Sequence, residues 1–259
     1  MKNGTTEVGT AKATQCGDDL NTCYNAAYGL NCDVLFSSVI TGTLKAGVYC
    51  GYSSLSIAAY DTIYLDAANT PTARWVFAIN VDLTLGVHSS VLLKNGALSS
   101  NVFWNTGGSV ILLSYTTIVG NILSSNTLYV SNAVLIGGRA FGGNSLIFAG
   151  STRITPSSYV SNVVNVTVGS CASFTIHARI RVIFKTIQTV INEGNIGVSP
   201  GVFITGSYVQ NSGNAQLNST LANACAIDSL VGYNAAVTAT CLNRVTGSTM
   251  AGTYKSGMG

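Results

Sequence analysis

The chain is short of charge. Only 8% of its 259 residues are Asp, Glu, Lys or Arg, against about a quarter in an ordinary soluble domain. The net charge is +3 and the basic residues are scattered, which excludes a nucleic-acid footprint of clustered Lys and Arg. Long apolar runs are missing too. Asn, Ser, Thr or Gly interrupts every one before it reaches the roughly 18 residues of a membrane span, and the runs are shorter than the alternating strands of an outer-membrane barrel. With nine acidic residues and two histidines, carboxylate or Ser-His-Asp catalysis has little to work with. Asp61 and Asp66 sit where strands end, Asp18 and Asp19 where a helix starts, and the chain reads as a non-enzyme. No CxxC and no Cys–His spacing marks a zinc site, GGRAFGGN lacks the context of a phosphate loop, and no cofactor or metal is called for.

Hydrophobic residues still make up 47% of the chain and Gly 28 positions, so it folds, with a surface built from Ser, Thr, Asn and Gly. Seven cysteines fit a secreted or cell-surface protein with some disulfides. The N-terminal end is polar and lacks an apolar signal core, which reads as a removed signal or an excised segment. Sequons at Asn3, Asn165 and Asn218 are glycosylation candidates.

Three kinds of short apolar segment recur in fixed order. The first comprises SLSIAA (54–59), DLTLGV (82–87), SVILLS (109–114), TLYVSN (127–132) and SLIFAG (145–150). The second begins with DTIYLDA (61–67) and SSVLLKNG (89–96), the third with RWVFAIN (74–80) and NVFWNT (101–106). Later cycles repeat about every 18 residues, the period of a coil with three strands per turn. Strand alternation then predicts two inward columns: Leu55, Leu83, Val110, Leu128, Leu146, and Ile57, Leu85, Leu112, Val130, Phe148. Trp75 and Trp104 fall on the third series as core or seam residues, or as a carbohydrate platform; His177 lies in a strand as a packed or surface histidine.

The expected fold is mainly β: a right-handed, three-sided β-solenoid over 1–210, with a long α-helix (16–30) alongside and a second helix (219–241) within a segment 211–259. The two helical segments are copies. Tyr24-Asn25-Ala26-Ala27 returns as Tyr233-Asn234-Ala235-Ala236, each flanked by cysteines eight residues away, Cys16 and Cys32 in one copy and Cys225 and Cys241 in the other. Cysteines 16 apart on a helix lie about 24 Å apart, too far to bridge, so each bonds elsewhere, with Cys50 and Cys171 as candidates, or the helix is broken.

NEGNIGVSPG (192–201), TLKAGVY (43–49), SSNVFWNTGGSV (99–110), IVGNIL (118–123) and LIGGRAF (135–141) together resemble the ice-binding proteins of cold-adapted bacteria, fungi and algae, whose fold is a discontinuous β-solenoid with one long helix along it. The resemblance covers nearly the whole chain, in unusual order: residues 1–160 are similar to the later part of that family and 161–259 to the earlier part, as in a circular permutation or a window over tandem domains. It implies ice binding through ordered water on a flat solenoid face. The candidate face is the outward side of the first series: Ser56, Ala58, Thr84, Gly86, Ser109, Ile111, Leu113, Thr127, Tyr129, Ser131, Ile147 and Ala149. The family tends to carry Thr where this chain has Ile111, Tyr129 and Ile147, and Arg179, Arg181, Phe184 and Lys185 are expected outward where small residues belong. Bulky outward groups suggest burial against protein. The partners are therefore an ice surface or copies of the chain itself, the alternative function being a self-assembling subunit of an extracellular filament or surface layer.

Overall fold

The computed structural model describes residues 32–156, 174–186, 188–201, 203–211, 213, 215–217, 219, 222 and 225. These residues are mainly β, and every strand pairing among them is parallel. Parallel pairing between neighbouring strands of one series requires the chain to travel round a full coil before it returns. Three series of strands do so in turn.

The first face is one seven-stranded sheet: β4 (Leu55–Ile57), β7 (Leu83–Leu85), β10 (Val110–Leu112), β12 (Thr127–Val130), β14 (Ser145–Phe148), β17 (Arg181–Phe184) and β20 (Phe203–Thr205). The second and third faces share a fifteen-stranded sheet. The second holds β2 (Thr43–Lys45), β5 (Thr62–Asp66), β8 (Ser90–Lys94), β15 (Thr152–Ile154), β18 (Thr189–Ile191) and β21 (Val209–Gln210). The third holds β1 (Val34–Leu35), β3 (Gly47–Gly51), β6 (Trp75–Ile79), β9 (Val102–Thr106), β16 (Phe174–Ala178), β19 (Asn195–Val198) and β22 (Ala215–Leu217). Two long strands, β11 (Thr117–Ser124) and β13 (Val134–Gly142), run through both faces. The first half of β11 pairs with β8 and its second half with β9. Gly120, at φ +111° with no room for a Cβ against Val102, is where β11 passes from one face to the next.

The predicted inward columns are in register. Leu55, Leu83, Val110, Leu128 and Leu146 are successive partners, as are Ile57, Leu85, Leu112, Val130 and Phe148, and all ten are buried. Phe184 extends the second column beside Phe148, so it belongs to the core and not to the outer surface expected of it. The same strand sends Arg181 and Lys185 outward, as alternation requires. Trp75 and Trp104 are fully buried; Trp104 stacks on Phe77 at 3.9 Å between centroids and donates its indole N–H to the Val119 carbonyl at 2.8 Å. They are core residues and offer no carbohydrate platform.

Cys32 bonds to Cys50, one of the partners expected, and ties β3 to the chain two residues before β1. Cys225 is also disulfide-bonded. Ala222 and Cys225 are helical. The first helix (16–30), most of the second (219–241) and the sequons Asn3, Asn165 and Asn218 lie outside the described residues.

Candidate functional site

The three faces share one inward chemistry and differ outside. On the third face β6, β9 and β16 are buried on both sides. Val76, Phe103, Asn121 and Arg139 form one outward column, and Ala78, Asn105, Leu123, Phe141 and His177 another. His177 is a packed histidine: its Nε2 lies 2.9 Å from the Ala222 carbonyl, so that nitrogen carries the proton, and its ring meets Phe174 edge to face. Burial, reinforced by the Arg179 charge, lowers its pKa to about 4, although the bond to Ala222 works the other way. A face with no open side cannot present itself to a large ligand.

The second face is open but interrupted by charge. Lys45, Asp66 and Lys94 stand side by side across β2, β5 and β8, and Arg153 points outward from β15. The Lys94 ammonium sits 3.4 Å from the centroid of the Tyr64 ring. Asp66 accepts from the Ala68 backbone N–H and from Asn95 Nδ2, both at 2.8 Å, and these bonds with the nearby Lys94 hold its pKa below the usual carboxylate value. Asp61 accepts from the Thr62 N–H at 2.8 Å. Both aspartates therefore shape strand ends, as expected.

The first face is open and, through its first five strands, almost free of charge. Its central outward column runs Ser56, Thr84, Ile111, Tyr129, Ile147, each paired with the next and each half-buried. Ser109 and Thr127 lie on one side of it, and Gly86, Leu113, Ser131 and Ala149 on the other, all half-buried, with Ala58 exposed. The sheet thus brings the twelve predicted residues onto one surface. Neighbours stand about 4.8 Å apart across the strands and about 6.6 Å apart along them, where alternate residues face out. The one carboxylate on its margin, Asp82, is turned to structure and accepts from the Ser109 N–H at 2.6 Å. The Ser114 and Ser131 hydroxyls bond to each other at 2.9 Å. Positive charge enters only at β17, where Arg181 Nε donates to the Ser145 hydroxyl at 3.3 Å and Lys185 lies 6.0 Å from the Tyr129 ring.

Sequence reasoning missed Ile183 and Thr205, which continue the central column on β17 and β20. The signal was present in RVIF, whose Val182 and Phe184 flank Ile183 as inward residues, but residues 157–173 break the 18-residue spacing there. Ile111, Tyr129 and Ile147, expected to lie against protein, are only half-buried and sit in the open column. Among the described residues no group of three or more His, Cys, Asp and Glu side chains could hold a metal ion.

A surface of this kind is regular and, through its first five strands, almost uncharged. It can order water or pack against a flat partner. Residues 2–155 match the family model described as Ice-binding-like. The chain belongs to this ice-binding-like family. Among its relatives, an ice-binding protein of Flavobacterium frigoris (strain PS1) is 34% identical over 133 residues, half of this chain and 47% of the relative. An ice-binding protein of Nostoc sp. (strain HG1) is 32% identical over 160 residues, 61% of this chain and 58% of the relative. The chain thus spans about half the length of the curated relatives it matches. The crystal structure of an ice-binding protein from an Antarctic bacterium, Flavobacteriaceae, superposes with a TM-score of 0.50 at 22% identity, over 86% of this chain and 54% of that one, which shows a shared fold.

Proposed function

We propose that this protein binds ice through its first face, with no chemistry and no cofactor. The observation that carries the reading is the run of five strands, β4, β7, β10, β12 and β14, whose outward side is open, in unbroken register and nearly charge-free. Ice presents a rigid lattice that a mobile or strongly hydrated surface cannot match. Ser and Thr hydroxyls bond to surface water, and the methyl groups of Thr, Ile and Ala crowd it into cages without competing for its hydrogen bonds. A fixed charge would instead orient its own shell. The second face, with Lys45, Asp66, Lys94 and Arg153, is less suited on that ground, and the third is closed.

The coil is assigned a right-handed sense, the one that crossovers between parallel strands take. The burial of the third face supports a cover along it, which we assign to the helix expected at 16–30 and its copy at 219–241. The contact of His177 with Ala222 supports docking of segment 211–259 on its own solenoid. The motif order supports a permuted or tandem arrangement. The Cys32–Cys50 bond supports a place outside the cell, where disulfides persist.

Thermal hysteresis and ice-crystal shape test the function directly. The protein is expected to shape ice and to hold a freezing gap at micromolar concentration, and Thr84→Arg, at the centre of the face, is expected to abolish both without changing the melting temperature. Absence of hysteresis and of ice shaping at high micromolar protein overturns the reading.

A further inference from the structure

The corner between the first and second faces carries a feature that neither the solenoid nor the flat face requires. Just before β5, β8, β11 and β13, the chain turns through a left-handed conformation. At successive coils the turning residues are Tyr60 (φ 63°), His88 (φ 57°), Tyr115 (φ 62°) and Ala133 (φ 55°). Gly, and less often Asn or Asp, take this conformation at little cost, whereas other side chains strain it. The corner thus places three rings at positions that a folding argument would give to glycine.

The rings are stacked. Tyr60 and His88 lie 5.1 Å apart and 10° from parallel; His88 and Tyr115 lie 4.6 Å apart and 3° from parallel. These separations equal the strand spacing, so the stack runs along the solenoid axis. Each stacked pair offsets part of that backbone strain. Yet the array is open to solvent, with Tyr60 74% and Tyr115 54% exposed. The stack then stops. The next coil has Ala133, the one after it Ser151, and the third Gln188, by the registers that pair β11 with β13, β13 with β15 and β15 with β18. One face of Tyr115 is covered by His88, and the other looks along the axis over this step of small side chains.

The step is polar and uncharged. Asn132 accepts from the Ser151 N–H at 2.9 Å through its side-chain oxygen and is itself exposed. The Ser151 hydroxyl donates to Gln188 Oε1 at 3.3 Å, and Gln188 is exposed. Gln188 stands three rungs from Tyr115, about 14 Å away at the usual strand separation. An aromatic wall facing fixed amide donors, with no charge between them, is what a neutral sugar ring needs. The C–H bonds of one pyranose face meet the negative face of the phenol ring, and the equatorial hydroxyls reach the amides.

We propose that this corner is a carbohydrate-binding site, in which a pyranose unit of a neutral polysaccharide stacks on the free face of Tyr115 and bonds to Asn132 and Ser151, with Gln188 left to a neighbouring unit. The site is separate from the flat face. A protein carrying both can hold a neutral extracellular matrix at one edge and present its flat face elsewhere.

Affinity electrophoresis through gels containing laminarin, hydroxyethyl cellulose or dextran tests the site. The full chain is expected to be retarded by at least one of these glucans. Tyr115→Asn suits the left-handed turn, so it should fold with an unchanged or higher melting temperature and lose that retardation at least tenfold. Ala133→Tyr is a second variant that should add a fourth ring to the stack, fill the step and lose retardation as well. No retardation by any of the three glucans, or equal retardation of both variants and the parent, overturns the proposal. Thr84→Arg should leave retardation unchanged, so this result and the freezing measurement stand or fall separately.

Discussion

The first and third faces are built from the same kind of strand, stacked in the same parallel register, around the same core. They differ in what points outward. On the third face the outward columns are large or polar and closed off, as with Phe103, Phe141, Asn105, Asn121, Arg139 and His177. On the first, through β4 to β14, they are Ser, Thr, Ile, Gly, Ala, one Leu and one Tyr, left open. A solenoid fixes its inward residues by packing, because each rung must bury its apolar side against the next. The outward residues are free of that demand, so they record what each face meets: protein on one side of the coil, and on our reading ice on another.

Charge placement is the strongest way to break this comparison. Thr84→Arg is expected to abolish thermal hysteresis, whereas Thr117→Arg, an outward position on the second face, should leave most of it. Equal loss from both substitutions would move the active surface off the first face or spread it over both. The next effect is on stability. Trp104→Ala removes a fully buried ring from the third face's inner side and should cost about 3–5 kcal/mol in denaturant unfolding.

Acid titration sharpens the contrast through His177. Its folded pKa, about 4, lies below the ordinary value of 6.5, so the unfolded chain binds the proton more readily. The stability from keeping it neutral is complete above pH 6.5 and falls as the pH drops towards 4. The loss amounts to about 3 kcal/mol once the pH has fallen below 4. His177→Phe should flatten the profile across that window, measured by urea unfolding at a series of pH values; a slope that persists would place the titrating group elsewhere. The smallest effect belongs to the corner between the third and first faces, where Asn144 Nδ2 donates to Asn126 Oδ1 at 2.7 Å in the open. Asn144→Ala should cost about 1 kcal/mol and leave ice shaping intact.

Much of this was legible along the chain. Leu128 and Val130 in TLYVSN, repeated in SLIFAG about 18 residues later, already specify a rung and its inner side, because alternation within a strand is a local property. The twelve first-face residues followed from the same rule. Sequence reasoning places Phe184 outward because β17 follows β14 by 36 residues, which hides its register, and only pairing with β14 shows which way RVIF faces. Ile111, Tyr129 and Ile147 suggested a covered surface by their size, but coverage depends on what else lies there, which no single strand records.

The sequence by itself determined the three strand series, the inward columns and the poverty of charge that makes a flat, weakly hydrated face possible, since all of these depend on residue type and short-range periodicity. Only the tertiary structure decided which outward columns stay open and which are closed, that Cys32 meets Cys50, and that Tyr60, His88 and Tyr115 form one stack. Those facts join residues about 18 to 28 positions apart through the coil, and their physical cause is the stacking of whole rungs, which no local pattern encodes.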